Sequence, residues 1–229
     1  MPPQNLQPPA DDLQQGSARE RLLDAAERLF AAKGFQVGVR EITLEAGCNV
    51  AGVNYYFGGK EGLYRLVFRR RLAALRERRI ASVRRILGEA GEGATLELLL
   101  RTFTTGFLEP LVEESTGRLW MELMSRELLD PHLPPDMFRE EIVDPVRDAL
   151  VEGLCQVCPG LGRQEAELAT HSLIGQLTHI VHMTNYSAYS AREECARTPF
   201  RFDLPQLVNH TVRFSAAGIR ALARPAERA

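Results

Sequence analysis

The sequence predicts an all-α protein: a three-helix N-terminal domain joined by a long helix to a larger helical domain. Three observations carry this. Apolar residues recur at three- and four-residue spacing through most of the 229 residues. Glycines and prolines fall between these periodic stretches and rarely within them. No stretch keeps up the apolar–polar alternation that a half-buried strand would need.

The first 16 residues, MPPQNLQPPADDLQQG, lack a basic n-region and an apolar h-region, and their Pro, Gln and Asp content predicts a disordered tail. SARERLLDAAERLFAAKGF then reads as a helix. Ser17 and Glu20 are spaced as a capping box, Leu22, Leu23, Ala26, Leu29 and Phe30 form an apolar stripe, and Gly34 is the stop. VREITLEAG is a second, short helix with Val39, Ile42 and Ala46 inward and Gly47 at its end. NVAGVNYYF is a third, capped by Asn49. After Gly58-Gly59 a long helix begins at Lys60, with Leu63, Leu66, Val67 and Leu75 on one side and arginines on the other. Beyond Gly88, Gly91 and Gly93, further helical stretches follow, among them GRLWMELMSRELL, RQEAELATHSLIGQLTHIVHM and LPQLVNHTVRFSAAGIRALA. The expected organisation is a tail over 1–16, a helix-turn-helix domain over 17–63 and a second helical domain over 64–229.

Two short helices with a glycine turn between them, the second capped by Asn49, are the ingredients of a helix-turn-helix, whose second helix enters the DNA major groove. On that geometry Val50, Ala51 and Gly52 allow close approach, with methyls suited to thymine. Asn49, Asn54, Tyr55 and Tyr56 offer polar tips for phosphate oxygens, as do Arg40 and Thr43 of the preceding helix. Lys60 adds a charge at a helix N-terminus, where an anion is favoured. Phe57 is expected to plug the core. The charge distribution agrees: residues 17–85 carry 15 Lys/Arg and 7 Asp/Glu, whereas residues 86–229 carry 13 and 21. A basic first third beside an acidic remainder suits an anionic partner for one module.

Taken together and in this order, LLDAAERLFAAKGF, VREITLEAG, NVAGVNYYF and GKEGLY resemble the DNA-binding domain of the TetR family of bacterial transcriptional regulators. The resemblance implies a homodimer on a palindromic operator and a C-terminal domain that binds a small molecule and releases DNA, while four cysteines too scattered for a disulfide scaffold suit a reducing cytoplasm. It also implies that the last two long helices pair with those of a second copy as a four-helix bundle. Two positions depart from the family pattern. Gly38 stands where Ser or Thr commonly caps the second helix, and Asn54 stands where Tyr is common. RLWMELMSRELLDPH, with Arg118, Trp120, Glu122, Arg126 and Glu127, resembles the C-terminal domain of the CecR-type subgroup, as does Gly175-Gln176.

Phe103, Trp120, Met121 and Met124 are candidates to line an apolar effector pocket, with Arg126, Gln176 or His179 as polar contacts. The same residues also fit an ordinary core. No G-x-S-x-G, P-loop or H-E-x-x-H occurs, and Ser172, His171 and Asp203 form no recognisable triad, so an enzyme is not expected. No cofactor is expected. His179 and His182 with Cys195, or the lone Cys155–Cys158 pair, leave a metal or redox sensor as an alternative, and a protein-interaction module with a scaffold helix-turn-helix is another. No apolar run approaches the ~20 residues that span a bilayer.

Overall fold

The computed structural model describes residues 10–89, 93–109, 116–190 and 203–223; side chains 10–17, 89, 116, 118, 121, 128 and 184–190 lie outside the description. Among the described residues the chain forms nine α-helices and no strand. They are α1 (Ala10–Lys33), α2 (Val39–Ala46), α3 (Val50–Phe57), α4 (Lys60–Glu89), α5 (Leu96–Leu108), α6 (Thr116–Leu129), α7 (Asp144–Val157), α8 (Arg163–Ser190) and α9 (Leu204–Leu222).

The first helix starts earlier than the local cap signal predicts. Its backbone is helical from Ala10, so Ser17 is interior rather than a cap. Residues 1–9 of the expected tail lie outside the described residues.

The chain folds as two compact units, with boundaries inside α4 and α6. The first runs to Arg71 and takes in Leu119–Pro134, so it reaches eight residues beyond the expected limit at residue 63 and recruits a distant segment. Its core joins Leu22, Leu23, Ala26 and Phe30 of α1, Ile42 and Ala46 of α2, Val53 of α3, and Leu63, Tyr64, Val67 and Phe68 of α4, all buried. Tyr64 sits at the centre of an aromatic cluster, edge-on to Phe30 at 4.8 Å and to Phe35 at 5.1 Å. Glu27 of α1 is buried and bound by Arg70, at 2.5 Å, and by Arg71, a pairing that offsets the desolvation of its carboxylate.

The second unit comprises Leu72–Arg118 and the chain from Pro135. Its core is built from Val83 and Ile86 of α4, Leu99, Leu100 and Phe103 of α5, Leu150 and Leu154 of α7, Leu173 and Leu177 of α8, and Val208, Val212 and Ile219 of α9. Gly153 lets α7 come close, because a Cβ there would lie 3.1 Å from Val83 and 3.3 Å from Leu99. Asp203 and Gln206 close a capping box on α9. A π-helical turn at Arg139–Val143 precedes α7, and Pro145, which has no N–H to donate, falls at the start of that helix.

Candidate nucleic-acid interface

Helix α2 ends at Gly47, whose φ of 61° and ψ of 39° place it in the left-handed region open to glycine. Its N–H donates to Leu44 O at 3.2 Å, and the Cys48 N–H to Thr43 O at 2.9 Å, which satisfies the last carbonyls of α2. Two residues later the Asn49 side chain accepts from the Ala51 N–H at 2.9 Å and starts α3. Gly38 caps α2 with no side-chain hydrogen bond, as expected of a glycine. The turn is fastened from α1, where Arg21 Nε donates to Ala46 O at 3.1 Å.

On α3, Asn49, Val50, Ala51, Asn54 and Tyr55 are exposed, Tyr55 at 74%. Arg40 is exposed on α2. These residues share one side of the pair, opposite the buried Ile42, Ala46 and Val53. Tyr56 is half-buried and edge-on to Tyr55 at 4.9 Å. Phe57 is also half-buried, with the Arg19 guanidinium 5.8 Å from its ring, so it is a rim contact and less a core plug. Space for a Cβ at Gly52 is bounded by Leu22 at 3.5 Å and Tyr56 at 3.7 Å, so this glycine faces the domain interior.

Thr43 differs from its expected role. It is 2% exposed and its hydroxyl donates to Arg40 O at 3.1 Å, because the inward face of α2 is spaced 39, 42, 43, 46. Leu44 is the residue that sequence reasoning missed. It is 83% exposed, one turn after Arg40 on the same face. Helical period did not single it out, because with Ile42 and Ala46 inward it does not separate 43 from 44.

Lys60 opens α4 after Gly58 and Gly59, with φ of 68° and 116°. Its ammonium stands 4.2 Å from the centroid of the Phe35 ring, a cation–π contact that holds the charge beside the α4 N-terminus. Gly62 is needed there for another reason: a Cβ on it would lie 1.8 Å from the Phe57 carbonyl oxygen. The GKEG turn therefore presses the end of α3 against the start of α4.

The segment from α6 ties into this unit through polar contacts. Tyr64 donates its hydroxyl to Glu127 Oε2 at 2.9 Å, and Glu127 Oε1 accepts the backbone N–H groups of His132 and Leu133 at 2.9 and 2.8 Å. Burial, and then the hydrogen bond to Glu127, push the Tyr64 pKa well above its ordinary value. Arg126 Nε donates to Ala31 O at 2.6 Å and its Nη2 to Ala32 O, so it satisfies carbonyls in the last turn of α1. Trp120 packs edge-on against Phe68 at 5.7 Å.

The residues expected to line one effector pocket thus divide between the units. Trp120, Met124 and Arg126 belong to the first; Phe103, Gln176 and His179 belong to the second. The Met121 side chain lies outside the description. Phe103 is buried between helices. Gln176 and His179 line a surface groove of about 490 Å³ between α8 and α9, with Ile180, Gln206, Leu207 and His210. Among the described residues, no three His, Cys, Asp or Glu side chains converge as a metal site, and Cys48, Cys155 and Cys158 are free thiols; Cys195 lies outside the description. No helix among the described residues is long and apolar enough to cross a membrane.

Residues 22–67 match the model for bacterial regulatory proteins of the tetR family. Residues 96–219, more than half of the chain, match the model for the C-terminal domain of the HTH-type transcriptional dual regulator CecR. The CecR regulator of Shigella flexneri is 29% identical over 181 residues, 74% of this chain and 78% of that protein. A TetR-family transcriptional regulator from Mesorhizobium loti superposes with a TM-score of 0.67 at 16% identity, covering 91% of this chain and 98% of that one. The regulator FadR of Bacillus subtilis, solved with stearoyl-CoA, superposes with a TM-score of 0.60 at 19% identity, covering 87% and 98%. At such identities the structural likeness speaks for the fold.

Proposed function

The chain belongs to the TetR family of DNA-binding transcriptional regulators, with a C-terminal domain of the CecR type, and from that premise we propose that it is a cytoplasmic, dimeric repressor released from a palindromic operator by a small molecule. The observation that carries the reading is the capped α3, which turns Val50, Ala51, Asn54 and Tyr55 outward beside Arg40 and Leu44 of α2. Methyls in the groove and amide or phenol tips on phosphate are the contact types such a helix makes. Lys60, with the free N–H groups of α4, adds a phosphate clamp.

A second copy is the occupant we assign to the α8–α9 face. Phe214 at 63% exposure and Leu168 at 61% stand on these helices, and the groove beside them is mainly apolar. Exposed aromatic and leucine side chains on two long helices favour burial against the same face of a partner. Such a dimer would space two α3 helices about one DNA turn, ~34 Å, apart. An effector that prefers another spacing weakens DNA binding by its differential affinity for the two states. Small-molecule binding is supported by the bound stearoyl-CoA of the B. subtilis regulator and by choline in a regulator from Saccharomonospora viridis, although their ligands are their own.

Selection from random duplexes, followed by footprinting of the enriched sequence, tests this reading. The expected product is an inverted repeat with two protected half-sites. Enrichment of no sequence, or of a single asymmetric site bound by one copy, would overturn it.

A further inference from the structure

A groove of about 530 Å³ runs between α4 and α5 within the second unit, a volume in the range of small-molecule sites. Ser82 and Arg85 line it from α4, and Arg101, Thr102, Thr105 and Gly106 from α5. Two contacts set the register of these helices. The Arg79 guanidinium lies over the Phe107 ring at 3.8 Å, and Val83 and Leu99 flank the same face of Gly153. The helices therefore run antiparallel. Arg85 and Arg101 fall toward one end of the groove, and Arg78 and Glu109, which also line it, toward the other.

Several arginines of this unit have carboxylate partners. Arg76 donates to Glu141 at 3.3 Å, Arg139 and Arg147 donate to Asp144 at 2.8 and 2.7 Å, and Arg220 pairs with Glu97. Arg101 instead donates to the neutral amide of Asn209 at 2.7 Å, which fixes the side chain and leaves its charge whole. Among the described residues Arg85 meets no carboxylate. Two guanidiniums at one end of a groove repel each other unless an anion lies between them. Their planar forks match phosphate oxygens bidentately. Thr102 and Thr105 add hydroxyls on the same wall, while the Ser82 hydroxyl is spent on Arg79 O at 2.7 Å. The space beside Gly106 is open, since a Cβ there would meet nothing within 4 Å. Arg78 and Glu109 carry opposite charges, so their end of the groove favours no anion and suits an uncharged body.

We propose that the α4–α5 groove binds an organic phosphate. Its phosphoryl group lies between Arg85 and Arg101, and its uncharged body runs past Gly106 toward Arg78 and Glu109. The groove belongs to the second unit, whereas α3 belongs to the first. The proposal goes beyond the release reading, because it stands on binding alone.

Calorimetric titration of the full chain without DNA, at pH 7.5, tests it with three probes: 1-naphthyl phosphate, 1-naphthol and inorganic phosphate. Charge-assisted hydrogen bonds should make 1-naphthyl phosphate about 10- to 100-fold tighter than 1-naphthol. Inorganic phosphate, which has the charge and no body, should bind more weakly than the ester. Arg85→Gln and Arg101→Gln should each remove about tenfold of the preference, and Arg85→Lys should keep part of it. Arg84→Gln loses the same charge at a neighbouring position that does not line the groove, and should keep the preference whole. All three arginines are exposed, so the variants should fold. Equal loss from Arg84→Gln and Arg85→Gln, or equal binding of the ester and 1-naphthol, would overturn the proposal. Inorganic phosphate as tight as the ester would overturn the organic body. Variants at Arg85 and Arg101 that flatten the salt dependence of duplex binding and leave the ester unmoved would overturn it in favour of a DNA backbone contact. An ester bound through both arginines that leaves the duplex in place would uphold the site and count only against release by this ligand.

Discussion

Two Gly→Ala substitutions on one helix should have opposite signs. Replacing an interior helical glycine with alanine ordinarily stabilises, by up to ~1 kcal/mol, because alanine restricts the unfolded chain and favours the helix. At Gly88, near the end of α4, a new Cβ meets nothing within 4 Å. Gly88→Ala should therefore gain about 0.5–1 kcal/mol. At Gly62, in the first turn of the same helix, the Cβ would stand 1.8 Å from the Phe57 carbonyl oxygen and 3.0 Å from its carbonyl carbon. Both are backbone atoms, with no rotamer to escape through, so the α3–α4 turn must open. Overpacking costs about 1–3 kcal/mol where side chains can yield. A clash against backbone belongs at the upper end, which leaves Gly62→Ala net destabilising by about 2 kcal/mol after the propensity gain. For a chain this long that is a fall of roughly 4–8 °C in melting temperature. Thermal unfolding followed by circular dichroism, with both variants at equal concentration, reads the difference. Because the displaced carbonyl ends α3, Gly62→Ala should also lose affinity for its duplex. A Gly62→Ala protein as stable as Gly88→Ala would refute the close approach and the account of the GKEG turn built on it.

Asn49→Ala should destabilise by about 1 kcal/mol through loss of the α3 cap, and Asn49→Asp should recover most of it, as chemical denaturation can show. Lys60→Ala should flatten the salt dependence of duplex binding by about 0.9 in log–log slope for each half-site, measured by titrations across salt. Tyr64→Phe should cost about 1–3 kcal/mol, because Glu127 keeps its two backbone donors and loses one. The same substitution has a pH signature. Since the folded state raises the Tyr64 pKa above its ordinary 10.0, that stability is whole below pH 10 and lost as pH rises beyond it. The difference in stability between wild type and Tyr64→Phe should therefore shrink above pH 10, and a flat difference would remove Tyr64 as its source.

The helix-turn-helix was legible because its determinants are local. Gly47, Asn49 and Gly58-Gly59 fix turns within a few residues, and the apolar spacing of α1 to α4 fixes which faces meet. Local signals also misled at one point: Ser17 and Glu20 satisfy the capping-box pattern, yet the helix passes through them from Ala10, since nothing in the preceding stretch forces the chain to turn. Thr43 was misplaced for a smaller reason: an eight-residue helix buries 42, 43 and 46, and period alone does not separate 43 from 44. What stayed hidden depends on distance along the chain. Arg126 was expected among the polar contacts of an effector pocket, but Arg126 and Glu127 serve carbonyls and a phenol more than 60 residues away. Arg79 stands in a run of arginines, and only its lodging on Phe107 distinguishes it from those with partners.

The central claim is that α3 reads DNA, and its most direct test is fluorescence anisotropy of the purified protein. One duplex comes from the upstream region of its own gene and the other is a scrambled control, each at two salt concentrations. The account predicts tight binding to the native duplex, weakened by salt and by Tyr55→Ala, with far weaker binding to the control. Equal, weak affinity for both duplexes, unmoved by Tyr55→Ala and repeated with sequences selected from a random pool, would contradict it.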